Sequence, residues 1–484
     1  MTAGVANELE PLGDVPPEVL RKHLHELADW IADYRENIAS YRISPTAAPG
    51  AIRAKLPGAA PNDGEPLADI MDDIDRVIMP GVMHWAHPDF MGYFGATTTA
   101  PGILAEMVTA ALNVNAMTWR TSPVATELET VVLQWLQQWL GLTGKFQGVV
   151  YDTASISSVH ALAAAREEAA SDVRALGISG REDVPVFRIY TSDQAHSSID
   201  KAAILLGLGE QNVRRIASDS QFRMNVNALR EAIAADRRDG YKPLAVVATV
   251  GTTSTASVDP VAAIAALCRD YCVWLHIDAA YGGGLAVLPD YKWVKEGWNE
   301  ADSLVVNPHK MLFVPFDFSA LYVRNIARLR DVFTLVPEYL RGDAAGAEIN
   351  YMDYGVQLGR RFRALKAWMV WRTFGREGIA ARIRDHLRLA QLFTRWVEED
   401  PRFELSAPTV MGVVCFRVIA ADEPSTDALN SRLVENINAS CKSYLMQTKL
   451  RGRTVMRLGL GNVLTTEENV RRAWEMIKEA ATQA

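Results

Sequence analysis

Between Gly148 and Tyr322 the chain alternates short apolar runs with stretches of helical periodicity, and no other feature restricts the fold as much. The runs occupy residues 149–151, 186–190, 244–250, 273–277, 303–306 and 319–323, and the helical stretches 155–171, 197–206, 225–238 and 260–270. A strand apolar on both faces has no side to offer water, so helices must cover it above and below. The expectation is an α/β fold built on a mostly parallel sheet. Helical periodicity over 360–374 and 379–399 leads out of this block. The remainder reads as a small α+β unit, with strands at 412–418 and 454–460 and helices at 426–440 and 466–481.

The first hundred residues are different. Val19, Leu20, Leu24, Leu27, Ile31 and Ile38 recur at helical spacing, a Pro/Gly/Ala-rich stretch breaks the pattern at 45–66, and helical spacing returns over 67–78. This is too little for a core and reads as an arm that packs on something else. His84 and His87 fall among aromatics and glycines, where a packed turn beside an aromatic pocket is expected rather than a ligand set. Two helices are expected over 101–142, the second with Ser122 as its cap and Pro123 in its first position.

Charge and cysteine usage exclude several function classes. A formal net charge of −8 without a basic tail argues against nucleic acid or an anionic membrane surface as partner. The longest uncharged apolar runs are too short to span a bilayer, and the N-terminus has no basic region followed by an apolar one, so no secretory signal is expected. Cys268 and Cys272 lie one helical turn apart, but no further His or Cys has ligand spacing. Buried free thiols in a cytoplasmic protein without a metal are the expectation.

Ligands of open parallel sheets bind beyond the carboxyl ends of the strands, and the chemistry-bearing residues of this chain fall there. After 149–151 comes Asp152-Thr153-Ala154-Ser155, opening an Ala-rich helix. Alone it reads as a plain N-cap, yet it is also a ready anion site. After 186–190 comes a polar loop with His196, and after 273–277 come Asp278 and Gly282-Gly283-Gly284. A carboxylate ending a run that apolar requires a cation to face it. After 303–306 comes Asn307-Pro308-His309-Lys310, and lysine is rarely buried without a partner or a task. An anion cradle, a flat aromatic base, a buried carboxylate and a buried amine together suit pyridoxal 5′-phosphate. Its phosphate, ring, pyridine nitrogen and aldehyde ask for those four groups. A nicotinamide oxidoreductase is disfavoured because no G-x-G-x-x-G follows the first strand.

The strings MPGVMHWAHPDFMGYF, TSPVATELE, SDQAHSSIDKAA, ATVGTTSTASVDP, WLHIDAAYGG, ADSLVVNPHK, FDFSALYV and LGRRFRALKAW, in that order, are highly specific. On them the chain resembles the group II pyridoxal-phosphate-dependent decarboxylases, and within these the aromatic-L-amino-acid decarboxylases, nearly end to end. The resemblance implies a type I PLP-dependent transferase fold with a seven-stranded sheet. It implies an interlocking arm over 1–98, a large cofactor domain over 99–367 and a small domain over 368–484. It also implies a homodimer with its active site at the interface.

Residue by residue, the resemblance makes Lys310 the Schiff-base lysine, Asp278 the partner of the pyridinium and His196 the stacking ring. It assigns Ala154 and Ser155 to the phosphate, and Thr253, Ala280, Asn307 and His309 to further cofactor contacts. Tyr339 falls on the mobile-loop tyrosine that returns a proton to the substrate carbon. The substrate pocket expected from it takes in Trp85, Tyr93, Phe94 and Met117. Met311, Ala96 and Arg120 depart from the residues usual in the animal enzymes, and Gly359 is the small residue associated with indolic substrates among plant relatives. The implied reaction is decarboxylation of an aromatic amino acid to its amine. An aromatic aldehyde synthase and an acidic-amino-acid decarboxylase stand as alternatives, the second through Arg120.

Overall fold

The computed structural model of the protein describes residues 13–95, 98–335 and 348–483. Its large sheet contains β1 (Gln147–Tyr151), β2 (Phe187–Ser192), β3 (Val213–Ile216), β4 (Lys242–Thr249), β5 (Trp274–Asp278), β6 (Ser303–Val306) and β7 (Ser319–Val323). Their order is β1-β7-β6-β5-β4-β2-β3. The pairs from β3 through β6 are parallel, whereas β7 runs antiparallel to both its neighbours. Two reversals cancel, so β1 points the same way as β6. The carboxyl ends of β1, β2, β4, β5 and β6 therefore meet along one edge, and that is what assembles the site.

All six apolar runs read from the sequence are strands. The seventh, β3, escaped because its four residues include Arg214 and Arg215, which break the apolar pattern. It is an edge strand, and the two arginines pair with Asp236 and Asp200. Charges of this kind keep an edge from recruiting another strand. The opposite edge, β1, is blunted differently. Glu129 accepts a hydrogen bond from the Val150 N–H at 3.0 Å, and Arg360 donates to the Val150 carbonyl at 2.8 Å.

A second sheet, β8 (Phe403–Leu405), β9 (Val413–Val418), β10 (Met446–Leu450) and β11 (Arg453–Gly459), has the order β10-β11-β9-β8 and is antiparallel throughout. Only β9 and β11 carry the apolar signature. The three-residue β8 is too short to read, and β10 is an edge strand with the mixed sequence Met-Gln-Thr-Lys-Leu. The helix Ala364–Glu399 joins the two units, bent where Gly375 adopts φ +63°. Val370 and Ile383, on either side of the bend, are buried in the core of the large sheet, and farther along Phe393 and Val397 are buried in that of the small one.

The N-terminal arm begins with the helix Pro17–Glu36, which leaves Leu20 and Leu24 exposed. His84 and His87 are packed, as expected: the His84 Nδ1 is bonded to the Tyr34 hydroxyl at 2.8 Å, and the His87 Nδ1 accepts from the Asp89 N–H at 3.0 Å. Among the described residues no helix is long and apolar enough to cross a membrane. Ser122 caps the helix Pro123–Leu140, its hydroxyl accepting from the Ala125 N–H, with Pro123 in the first position. Ser122→Ala should cost ~1 kcal/mol, seen as a lower urea midpoint, and an unchanged midpoint would mean the cap is idle.

Candidate active site

A cavity of about 460 Å³ opens at the shared carboxyl edge, between the large sheet and β10–β11 of the small one. Lys310 enters it from the short turn Pro308–Met311 that follows β6. Asp278, the last residue of β5, is buried beside it, with one carboxylate oxygen accepting from the Ala280 N–H at 3.1 Å. The loop after β4 supplies Thr253 and Ser254. Its close approach depends on Gly251, which adopts φ +89° and lies so near Tyr281-Gly282 that a Cβ would sit 2.9 Å from the Gly282 nitrogen.

Burial and the charge of Arg457 push the Lys310 amine down to about 8, while Asp278 opposes the shift. His196 is pushed below the usual histidine value by burial and by Lys310, again against Asp278. Its Nδ1 accepts from the Ser198 N–H at 3.1 Å, which places the ring proton of the neutral imidazole on Nε2. His309 is lowered to about 3, chiefly by burial and then by Lys310, and its Nδ1 accepts from the Phe318 N–H at 2.9 Å. Both rings are neutral near pH 7.

The sequence-derived residues Ala154, Ser155, His196, Thr253, Asp278, Ala280, Asn307, His309 and Lys310 all line this cavity, as do Tyr93 and Phe94. The other pocket candidates do not. Trp85 stacks on Tyr93 at 5.1 Å from behind, and Met311 is buried against Gly284. Met117, Arg120 and Gly359 lie on another surface, where Arg120 and Gly359 are exposed. Ala96 and Tyr339 fall outside the described residues.

Arg457 is the main residue that sequence reasoning missed. It is buried on β11, donates to the carbonyls of Ser254 (3.1 Å) and Tyr93 (2.7 Å), and has no carboxylate partner among the described residues. Its guanidinium and the Lys310 amine each lie 4.8 Å from the Phe94 ring centroid. A signal was present: an arginine inside Val455-Met456-Arg457-Leu458 is as anomalous as Lys310 after its own apolar run. Met446, Gln447 and Thr448 of β10 also line the cavity and carried no such signal.

The polar atoms left over suit a phosphorylated pyridine aldehyde. Asn307 Oδ1 and Thr249 Oγ1 are buried at the cavity without a hydrogen-bond partner among the described residues. The N–H groups of Ala154, Ser155 and Ile156, at the start of the helix Ala154–Ala169, have no acceptor among the described residues. Such a helix end would suit a phosphate, Asp278 a ring N–H⁺, and Lys310 an aldehyde.

The comparisons with known proteins agree with that fit. Residues 49–419 match the pyridoxal-dependent decarboxylase conserved domain. The chain belongs to the pyridoxal-dependent decarboxylase family. It is 37% identical to the aromatic-L-amino-acid decarboxylase of Sus scrofa, over 96% of each chain. It is 36% identical to the phenylacetaldehyde synthase of Arabidopsis thaliana, over 100% of this chain and 99% of the other. The structure of Oryza sativa TDC with PLP and tryptamine superposes with a TM-score of 0.93 at 35% identity, over 98% of this chain and 99% of that one. The fold is thus that of the type I PLP enzymes, and pyridoxal 5′-phosphate is the cofactor.

The depressed lysine has a measurable consequence. Below about pH 8 Lys310 holds its proton, and above it the amine is free to attack a carbonyl. The rate at which cofactor-free protein takes up pyridoxal 5′-phosphate should therefore rise with a midpoint near pH 8. Asp278→Asn removes the anion that opposes the shift, so the midpoint should fall. A midpoint at the ordinary lysine value of about 10.4 would contradict this environment.

Proposed function

We propose that the protein decarboxylates aromatic L-amino acids to arylalkylamines and carbon dioxide, acting in the cytoplasm as a homodimer. The observation that carries this reading is a cavity holding Lys310 and Asp278 beside an aromatic wall. Tyr93 and Phe94 line the cavity, and Trp85, Phe90 and Tyr444 extend Tyr93 into a run of packed rings. Such a wall accepts an indole or phenyl ring by stacking and offers little to a short acidic side chain.

Bound pyridoxal phosphate supplies the electron sink for the pair left behind when carbon dioxide departs. The chain's own residues do the rest. Asp278 would hold the positive charge of the pyridine nitrogen, and His196 would cover the cofactor ring. Lys310 would bond the cofactor's aldehyde carbon, its lowered proton affinity leaving the amine free to do so. Arg457, a buried cation with no carboxylate partner among the described residues, receives the substrate carboxylate and orients the bond that breaks. Overall the Cα–carboxylate bond breaks, a Cα–H bond forms and one proton is taken up, with Tyr339 as the donor.

The dimer is supported by an apolar face that stands exposed among the described residues. Leu104, Val108 and Leu112, spaced four residues apart on the helix Ala100–Leu112, are 55%, 44% and 55% exposed. Leu20 and Leu24 of the arm are similarly bare. A second copy covering this face would also bring Met117, Arg120 and Gly359 into use as pocket wall. The aldehyde-synthase alternative is favoured by the Arabidopsis relative, but Tyr339 and His196 are both present here, which supports plain decarboxylation.

A panel of tryptophan, tyrosine, phenylalanine and glutamate, assayed for carbon dioxide, amine, ammonia and hydrogen peroxide, tests the reading. Amine and carbon dioxide should appear one to one from an aromatic substrate. Stoichiometric peroxide and ammonia would make the protein an aldehyde synthase, and turnover of glutamate alone would make it an acidic-amino-acid decarboxylase. Losing a charge-assisted contact should make Arg457→Gln raise KM by roughly 10- to 100-fold. An unchanged KM would remove Arg457 from carboxylate recognition.

A further inference from the structure

Glu129 and Arg360 form a buried two-point ion pair, with Nη2 to Oε1 at 2.7 Å and Nη1 to Oε2 at 3.1 Å. Neither side chain touches the Lys310 cavity. What they fasten is unusual in its reach. On one side both hold Val150, through its N–H and its carbonyl, two residues before the Asp152–Ser155 loop that begins the phosphate cradle.

On the other side Arg360 is laced to the segment that precedes Met117 and Arg120. Its N–H donates to Asn115 Oδ1 at 2.9 Å, its carbonyl accepts from the Ala116 N–H at 2.8 Å, and its guanidinium donates to the Ala116 carbonyl at 3.1 Å. The lacing continues upstream of Arg360. The Met352 N–H donates to the Met117 carbonyl at 3.0 Å, and the Trp119 N–H to Asn350 Oδ1 at 3.1 Å. The Tyr351 ring lies 4.8 Å from the guanidinium, and its hydroxyl is bonded to Thr130 at 2.9 Å. Residues 113–121 and 349–360 thus form one clip, and Ile349, Val356 and Leu358 on it are exposed apolar side chains. Gly359 is bonded directly to the arginine that closes the clip.

We propose that Glu129 and Arg360 are positioning residues for two active sites at once: the phosphate cradle of their own protomer, and the pocket wall which that protomer presents to the second copy. This rests on the dimeric decarboxylase reading above. Beyond bonding each other, the two side chains direct their remaining hydrogen bonds at the backbone of Val150 and Ala116, and removing one charge leaves the other buried and unpaired. Loss of either charge moves Val150 and Ala116 together.

Hybrid dimers separate the two effects. One subunit carries Lys310→Ala, so turnover and the visible band of lysine-linked cofactor both report the other subunit. With Glu129→Gln on the Lys310→Ala subunit, the intact site should keep its cofactor affinity while its amino-acid KM rises about tenfold or more. With Glu129→Gln on the subunit that retains Lys310, cofactor affinity should fall by a similar factor while KM at saturating cofactor stays unchanged. The double variant Glu129→Gln/Arg360→Gln, which keeps amide hydrogen bonding without a stranded charge, should show the same partition if the single variant folds poorly. Both effects following one subunit, or neither appearing, would overturn the proposal. A monomer in sedimentation would overturn the dimeric reading and this proposal with it, a result distinct from a dimer with the wrong partition.

Discussion

Asp278 and Lys310 stand at the ends of adjacent parallel strands inside one cavity, and each makes the other's burial tolerable. A lone buried carboxylate or ammonium costs several kcal/mol, more than most of the packing around it could offset. The lysine is still pushed down, because burial and Arg457 together outweigh the carboxylate. That imbalance is useful. It leaves an amine that loses its proton near pH 8, next to an anion that can hold a cofactor ring charged. The sheet direction, the loops at its carboxyl edge and the small domain behind them all serve to keep this pair in place.

The small domain contributes more than a lid over that edge. Through Arg457 it binds Ser254 of the loop after β4 and Tyr93 of the aromatic wall, so one side chain joins three parts of the cavity. Arg457 and Lys310 each lie 4.8 Å from the centroid of Phe94, so one aromatic ring offers both cations a π contact. The same economy recurs at β1, where one ion pair both blunts a strand edge and ties the cradle to the surface clip.

Much of this was legible in the chain. Apolar runs located six of the seven strands of the large sheet, and Asp278, His196, Lys310 and the Thr153–Ser155 loop fall on one edge because parallel strands must end together. What escaped did so for physical reasons. β3 and β10 are edge strands, half wet, and carry charged or mixed residues where an interior strand would be apolar. Arg457 reaches the cavity from a separate sheet, so no strand-end argument within the large sheet could place it. Met311 follows Lys310 in sequence yet packs backward on Gly284, since neighbours in a tight turn point in different directions. Met117, Arg120 and Gly359 lie on a surface away from the Lys310 cavity.

The central claim is that Lys310 is the covalent anchor of the cofactor. Borohydride reduction of the holoprotein, followed by proteolysis and mass spectrometry, tests it directly. One reduced pyridoxyl adduct is expected, carried by the peptide that contains Lys310. An adduct on another lysine, with Lys310 unmodified in the active protein, would contradict it.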